Sequence, residues 1–262
     1  MKKTLSLFVV ALMSVTMYSQ SVNFKIGFKP NTTYKQTNVQ NVTSAIGYGE
    51  GSEPMEQKSD MTMTSTTVTG KLKGTEMPVT MTIAVDPNSQ AAAVIPEGTK
   101  IFGKAQNGGL PKFDSIHSPG MDVKIKEMMI GMMESNYSQM MFPEKTLKVG
   151  ESFTVDTPLS MPMGPVTINM NIKSTYKLKK VVGKQAFLDI NQVYTMDTKV
   201  EGQDLKGSGT GTGDMVYDVD HKYPTQLNTN TTMSIAMDAG GMMIDIKNTT
   251  ISKNTTTITT TK

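Results

Sequence analysis

The chain has no cysteine, no tryptophan and no arginine, and each absence removes a class of explanation. Without cysteine there is no disulfide framework, so even in an oxidising compartment the fold must be held by its core alone. The same absence leaves no lipid-modified cysteine to tether a mature N-terminus to a membrane. All 26 basic residues are lysine, and arginine is the side chain best suited to bidentate recognition of phosphate or carboxylate. The net charge is +3, it falls to +1 once Lys2 and Lys3 are set aside, and no block of five or six like charges occurs. This argues against nucleic acid as a partner. Two histidines, no G-x-S-x-G and no H-E-x-x-H leave hydrolytic and zinc chemistry little to stand on. No enzyme, metal or cofactor is expected.

Long apolar runs are also scarce. The longest, Leu5 to Val15, follows Lys2 and Lys3 and precedes Ser19-Gln20, the layout of a secretory signal. It is too short to span a bilayer, which takes about 20 residues. The expectation is a signal peptide over 1–19, removed after about Ser19, and one β-rich domain over 20–262, periplasmic or secreted and without a transmembrane anchor. The TTTITTTK end carries neither an apolar tail nor a terminal aromatic. With aromatics at 6% there is little material for the interfacial girdles of a membrane barrel, which makes that architecture the last choice.

What the chain does have is period two. From Pro165 to Lys179, Val166, Ile168, Met170, Ile172, Tyr176 and Leu178 point one way, with Thr, Asn and Lys the other, as in a half-buried antiparallel strand. A turn at Gly183 predicts a hairpin with the alternating run Leu188 to Val200. The pattern returns at Leu227 to Met237 and after Gly240-Gly241. In the first half, Val22 to Phe28 and Met77 to Val85 alternate, and two short strands flank Asn107-Gly108-Gly109. Residues 47–60, rich in Gly and charge, read as a loop. Met121 to Met141 departs from this pattern, because Ile125, Met128, Met129, Met132 and Met133 fall on one helical face behind an Asp122 N-cap.

Three groups of residues are candidate sites. Gly207, Gly209, Gly211 and Gly213 share a strand face with Leu205, Met215 and Tyr217. Missing side chains there mean either a bend or close approach by another element, or a ligand groove. The 24 methionines suit an adaptable apolar cavity. Met61-x-Met63, Met161-Pro162-Met163 and the helical pairs also offer thioethers to Cu(I), although core filling accounts for them more simply. Asp214, Asp218, Asp220 and His221 suggest a cation or acid-base pair against the plainer reading of a solvated face.

Phe28-Lys29-Pro30-Asn31-Thr32-Thr33-Tyr34-Lys35, Phe142-Pro143-Glu144-Lys145, Val149-Gly150-Glu151-Ser152-Phe153 and the Gly-rich strand running into Tyr217-Asp218 resemble an uncharacterised family of exported Bacteroidetes proteins, a domain of unknown function. The resemblance implies export and a single domain, with no catalytic residues. The architecture expected is mainly β (α+β): one large curved antiparallel sheet or incomplete barrel, its apolar concave face covered by a helix at about 121–141. It is similar to the arrangement of periplasmic lipoprotein carriers. A hydrophobic, lipid-like ligand is then expected among Met128, Met129, Met132, Met170, Met196, Met233 and the Gly207, Gly209, Gly211, Gly213 face. The alternatives are a solid-cored structural protein that binds other envelope proteins, and Met-based copper binding.

Overall fold

The computed structural model describes residues 21–49, 53–87, 95–139, 144–163, 166–200, 203–238, 241 and 243–261; the predicted signal lies outside them. The elements in chain order are β1 (Ser21–Phe24), β2 (Thr32–Tyr48), β3 (Met55–Thr69), β4 (Glu76–Val85), β5 (Lys100–Gln106), β6 (Pro111–His117), α1 (Val123–Gln139), β7 (Lys145–Lys148), β8 (Ser152–Met163), β9 (Val166–Val182), β10 (Gln185–Val200), β11 (Gln203–Asp218), β12 (Tyr223–Asp238) and β13 (Met243–Thr260).

Eleven strands form one antiparallel sheet in the order β6-β5-β4-β3-β2-β13-β12-β11-β10-β9-β8. Two meanders are joined where the first long strand pairs with the last, Thr32 opposite Thr260 and Tyr48 opposite Ile244. The sheet does not close: β6 and β8 are its edges, and α1 and β7 lie between them in sequence. The one large antiparallel sheet, left open, that the alternation predicts is therefore what forms.

The core is concentrated at one end of this sheet, where β2, β9, β10 and β11 contribute Tyr34, Leu178, Leu188 and Tyr217, all buried. A short N-terminal strap closes that end. The alternation of Val22 to Phe28 predicts a single strand, but only Ser21–Phe24 is one, and it pairs with β7 in a separate two-stranded sheet. Beyond it the backbone is used up by two turns rather than a neighbouring strand. The Gly27 N–H donates to Lys222 O (3.3 Å), the Phe28 N–H to Gly109 O (2.9 Å), and Phe28 O accepts from the Gly108 N–H (2.9 Å). The Tyr217 hydroxyl donates to Lys25 O (2.7 Å) and the Tyr34 hydroxyl accepts from the Lys29 N–H (2.9 Å). The strap thus laces the β5–β6 turn to the β11–β12 turn.

The structure departs from the sequence pattern in two further places. In the predicted 47–60 loop, Gly47 and Tyr48 end β2, and residues 55–60 belong to β3, paired with β2 from Ile46 opposite Met55 to Asn41 opposite Asp60; residues 50–52 lie outside the described ones. Ladder pairing overrides local polarity there. The helix forms as expected, with the Lys124 N–H bonded to Asp122 Oδ1 (2.8 Å), but its inward stripe is Ile125, Met129, Met133 and Tyr137, at i, i+4 spacing. Met128 is 46% exposed and faces away from the sheet.

Candidate ligand-binding cavity

Because side chains alternate across a strand, the even-numbered residues of β2 and β13 continue from the buried Tyr34 and Ile258 up the concave face. They are Gln36, Asn38 and Gln40 on β2, and Thr256, Asn254 and Ser252 on β13. The amides bond diagonally across the ladder: Gln36 Nε2 donates to Asn254 Oδ1 (2.8 Å) and Asn38 Nδ2 to Ser252 Oγ (3.2 Å). On the other side of β2, Met61, Met63 and Ser65 of β3 oppose Gln40, Asn38 and Gln36. Ile83 and Met81 of β4 follow.

These side chains, with Leu227 of β12 and Met133 and Tyr137 of α1 above them, enclose a cavity of about 480 Å³ on the concave face. Its volume lies in the range of small-molecule sites, roughly 300–1,000 Å³. One wall is thioether and aliphatic, the other amide and hydroxyl, and no charged residue lines it.

The closed end of the cavity is aromatic. Tyr223 lines it and packs 4.9 Å from Tyr34 and 5.3 Å from Phe28 between ring centroids. Tyr137 reaches down from α1 to within 6.1 Å of Phe28 and 5.6 Å of Phe113. Burial pushes the Tyr137 phenol well up, and a hydrogen bond with the Thr67 side chain offsets part of that. The ring is the pin that holds the helix over the cavity. Tyr137→Phe, which keeps the ring contacts, is expected to cost about 1 kcal/mol, and Tyr137→Ala about 3–5 kcal/mol, both read by urea unfolding.

The residues singled out from sequence are distributed differently. Met129 is buried in the core under α1, Met128 is exposed, and the Met132 side chain lies outside the described residues. Met170 and Met196 oppose each other on β9 and β10. Met196 in turn opposes Gly207, which pairs with Ile235. All are on the concave face, on the β8 side of the cavity, and none lines it.

The Gly207 to Gly213 stripe is where flanking strands lean in. A Cβ on Gly207 would lie 3.3 Å from both Met196 Cβ and Ile235 Cγ1. On Gly209 it would lie 2.5 Å from Thr232 O and 2.7 Å from Met233 Cγ, and on Gly213 2.2 Å from Asn228 O. Gly211 has Gln192 and Thr231 side chains 3.1 Å away. The missing side chains make room for the close approach of β10 and β12. A second depression, of about 590 Å³, touches Gly207 but lies mainly on the outward side, among Lys206, Ser208, Asp245 and Lys247. It is open to solvent and charged at its rim, so an apolar ligand gains little there.

The acidic candidates have structural partners. Asp214 accepts from Asn228 Nδ2 (3.0 Å), and Asp220 pairs with Lys184. Asp218 accepts the His221 N–H (2.8 Å); His221 Nδ1 is 3.1 Å from the other carboxylate oxygen but not aligned for a hydrogen bond. Burial raises the Asp218 pKa, but the hydrogen bonds from His221 and the Asp220 backbone outweigh it and hold it below the usual value of 3.8. That stabilisation is present above the unfolded value and lost as pH falls through the lower folded one. Asp218→Ala is expected to lose about 1–2 kcal/mol at neutral pH, and the gap from the parent should vanish in acid below that range in paired unfolding titrations. Among the described residues no three His, Cys, Asp or Glu side chains converge.

No family model and no curated protein matches the chain. Among solved structures it is similar to Ail, the attachment invasion locus protein of Yersinia pestis, at 3% identity over 84% of this chain and 97% of that one, with a TM-score of 0.18. It is also similar to a BenF-like porin from Pseudomonas fluorescens Pf-5, at 8% identity over 88% and 100%, with a TM-score of 0.22. Similarity at that level carries no argument about fold or function.

Proposed function

We propose that this is an exported, non-catalytic protein of the cell envelope that holds a hydrophobic, lipid-like small molecule between α1 and the concave face of its sheet. The observation that carries the reading is the cavity itself: an opening of about 480 Å³ between α1 and the middle of the sheet, with methionine and aliphatic side chains along one wall. Its thioether wall of Met61, Met63, Met81 and Met133 reshapes around varied apolar chains. The Lys2-Lys3 start and apolar run supply the export signal.

A purely structural role with a packed interior would leave this opening without use. A membrane barrel would need an apolar outer band, whereas the outward positions include the exposed Lys35 and Asn41 on β2, Lys206 and Asp214 on β11, and Lys247 and Lys253 on β13.

Ser65 lines the cavity, so phenylalanine there enters open space, whereas a side chain at Gly209 would strike the Thr232 backbone. Ser65→Phe is expected to weaken binding of a fluorescent naphthylamine probe by about tenfold or more, the equivalent of about 1.4 kcal/mol. Thr62→Phe, at an exposed position on the outward side of the same strand, should leave binding unchanged. Equal binding by both variants and the parent would overturn the proposal.

A further inference from the structure

We propose that the cavity selects a single-chain amphiphile with an uncharged, hydroxyl-bearing head group, such as a monoacylglycerol, over fatty acids and other anionic lipids; this rests on the reading of the cavity as a ligand site. The polar wall is neutral throughout. Gln36, Asn38, Gln40, Ser65, Ser252 and Asn254 face the opening with no lysine, histidine or carboxylate among the lining residues. A carboxylate or phosphate brought against α1 and the sheet would be desolvated without a counter-charge, which is costly. A neutral head group avoids that cost.

The wall also offers both kinds of hydrogen-bonding group. Of its two ladder bonds, one uses a Gln36 amide hydrogen and the Asn254 carbonyl, the other an Asn38 amide hydrogen and the Ser252 oxygen. Gln36 and Asn38 keep their carbonyl oxygens, while Asn254 keeps its amide hydrogens and Ser252 its hydroxyl hydrogen. Hydroxyl groups, which donate and accept at once, satisfy such a mixed wall; an ester carbonyl alone would leave the acceptors unmet. The same stripe continues along β13 to Asn248, whose Oδ1 is buried with no hydrogen-bond partner among the described residues. It is an acceptor on the concave face, two inward positions beyond Ser252, that a donor could satisfy. The apolar tail then lies against Met61, Met63, Ile83 and Met133 on the opposite wall. Burial keeps the nearby Tyr223 phenol in its neutral form, so the aromatic end adds no charge either.

The test is displacement of the naphthylamine probe from the full mature chain by monomyristoylglycerol and by myristate, each below its critical micelle concentration. The two share a tail and differ in head group. Monomyristoylglycerol is expected to displace the probe at about tenfold lower concentration or better, and Asn254→Leu and Gln36→Met should each erase that preference, so that the two lipids displace the probe at equal concentrations within the same variant. Thermal unfolding of both variants confirms that they fold, and either one suffices for the comparison. Myristate binding as tightly as or more tightly than monomyristoylglycerol would overturn the head-group inference and leave the cavity reading standing. Failure of both lipids to displace the probe, together with probe binding insensitive to Ser65→Phe, would overturn both.

Discussion

Gly27→Ala is expected to destabilise the protein by on the order of 3 kcal/mol or more, enough to remove much of the stability of a typical domain. An alanine Cβ at this position would sit 2.1 Å from Gly108 O and 2.3 Å from its carbonyl carbon. Those atoms belong to the β5–β6 turn, which exchanges two backbone hydrogen bonds with Phe28 through Gly108 and Gly109, so neither side can give way without breaking them. Moving the strap outward would instead pull Phe28, fully buried, from the rings of Tyr34 and Tyr223. Gly131 provides the contrast. It lies in α1, with nothing within 4 Å of where its Cβ would be, and Gly131→Ala should stabilise the protein by about 0.5–1 kcal/mol through helix propensity. Urea unfolding of the pair measures both effects, and a Gly27→Ala variant as stable as the parent would mean that the strap does not hold that end of the sheet.

The second large effect is expected in alkali. Burial is the leading cause of raised phenol pKa values at Tyr34, Tyr137, Tyr176, Tyr194, Tyr217 and Tyr223, and it takes Tyr217 up to about 12. A raised acid binds its proton more tightly in the folded state. The folded state therefore keeps its full advantage below the ordinary value of 10.0 and loses it as pH climbs from there through the folded values. Each such phenol removes about 1.4 kcal/mol per pH unit across its window, and several acting together should give a steep, cooperative unfolding above pH 10. Phenolate absorbance and loss of β-sheet circular dichroism should rise and fall together. Tyr217→Phe should make the decline shallower. Phenols that titrate one by one at ordinary values while the sheet stays intact would contradict the packing described at the closed end.

The strands most easily read from sequence are those whose two faces differ most. In β9, Ile172, Tyr176 and Leu178 alternate with Asn171, Lys177 and Lys179, and the hairpin with β10 follows from Gly183, whose φ of +59° suits a turn glycine. β2 and β3 were hard to read for a physical reason. The inward Gln36, Asn38 and Gln40 of β2 are as polar as its outward Thr37 and Asn41, and in β3 only Met61 and Met63 stand out inward among Ser59, Ser65, Thr62 and Thr64, so the contrast that marks a strand is weak in both. The polar wall hid its own strands.

The methionine-rich helix was legible as an element, but its rotation was not. Met128 and Met129 are equivalent by composition, and only the stripe completed by Tyr137, one turn past the last methionine counted, selects Met129. The glycine stripe was read as missing side chains, and so it is. Whether that space is empty depends on how far Met196, Met233 and Ile235 lean across from neighbouring strands, which no single strand's pattern encodes.

The central claim is that the space under α1 holds a molecule, and native mass spectrometry of residues 20–262 purified from the periplasm of a related host tests it most directly. The account predicts a native mass exceeding the denatured mass by that of one lipid-like molecule, with the excess absent from Ser65→Phe and present in Thr62→Phe. An excess matching copper would instead assign Met61, Met63, Met81 and Met133 to a metal. A native mass equal to the denatured one, unchanged after incubation with envelope lipids, would contradict the account and leave a structural protein with an unfilled interior.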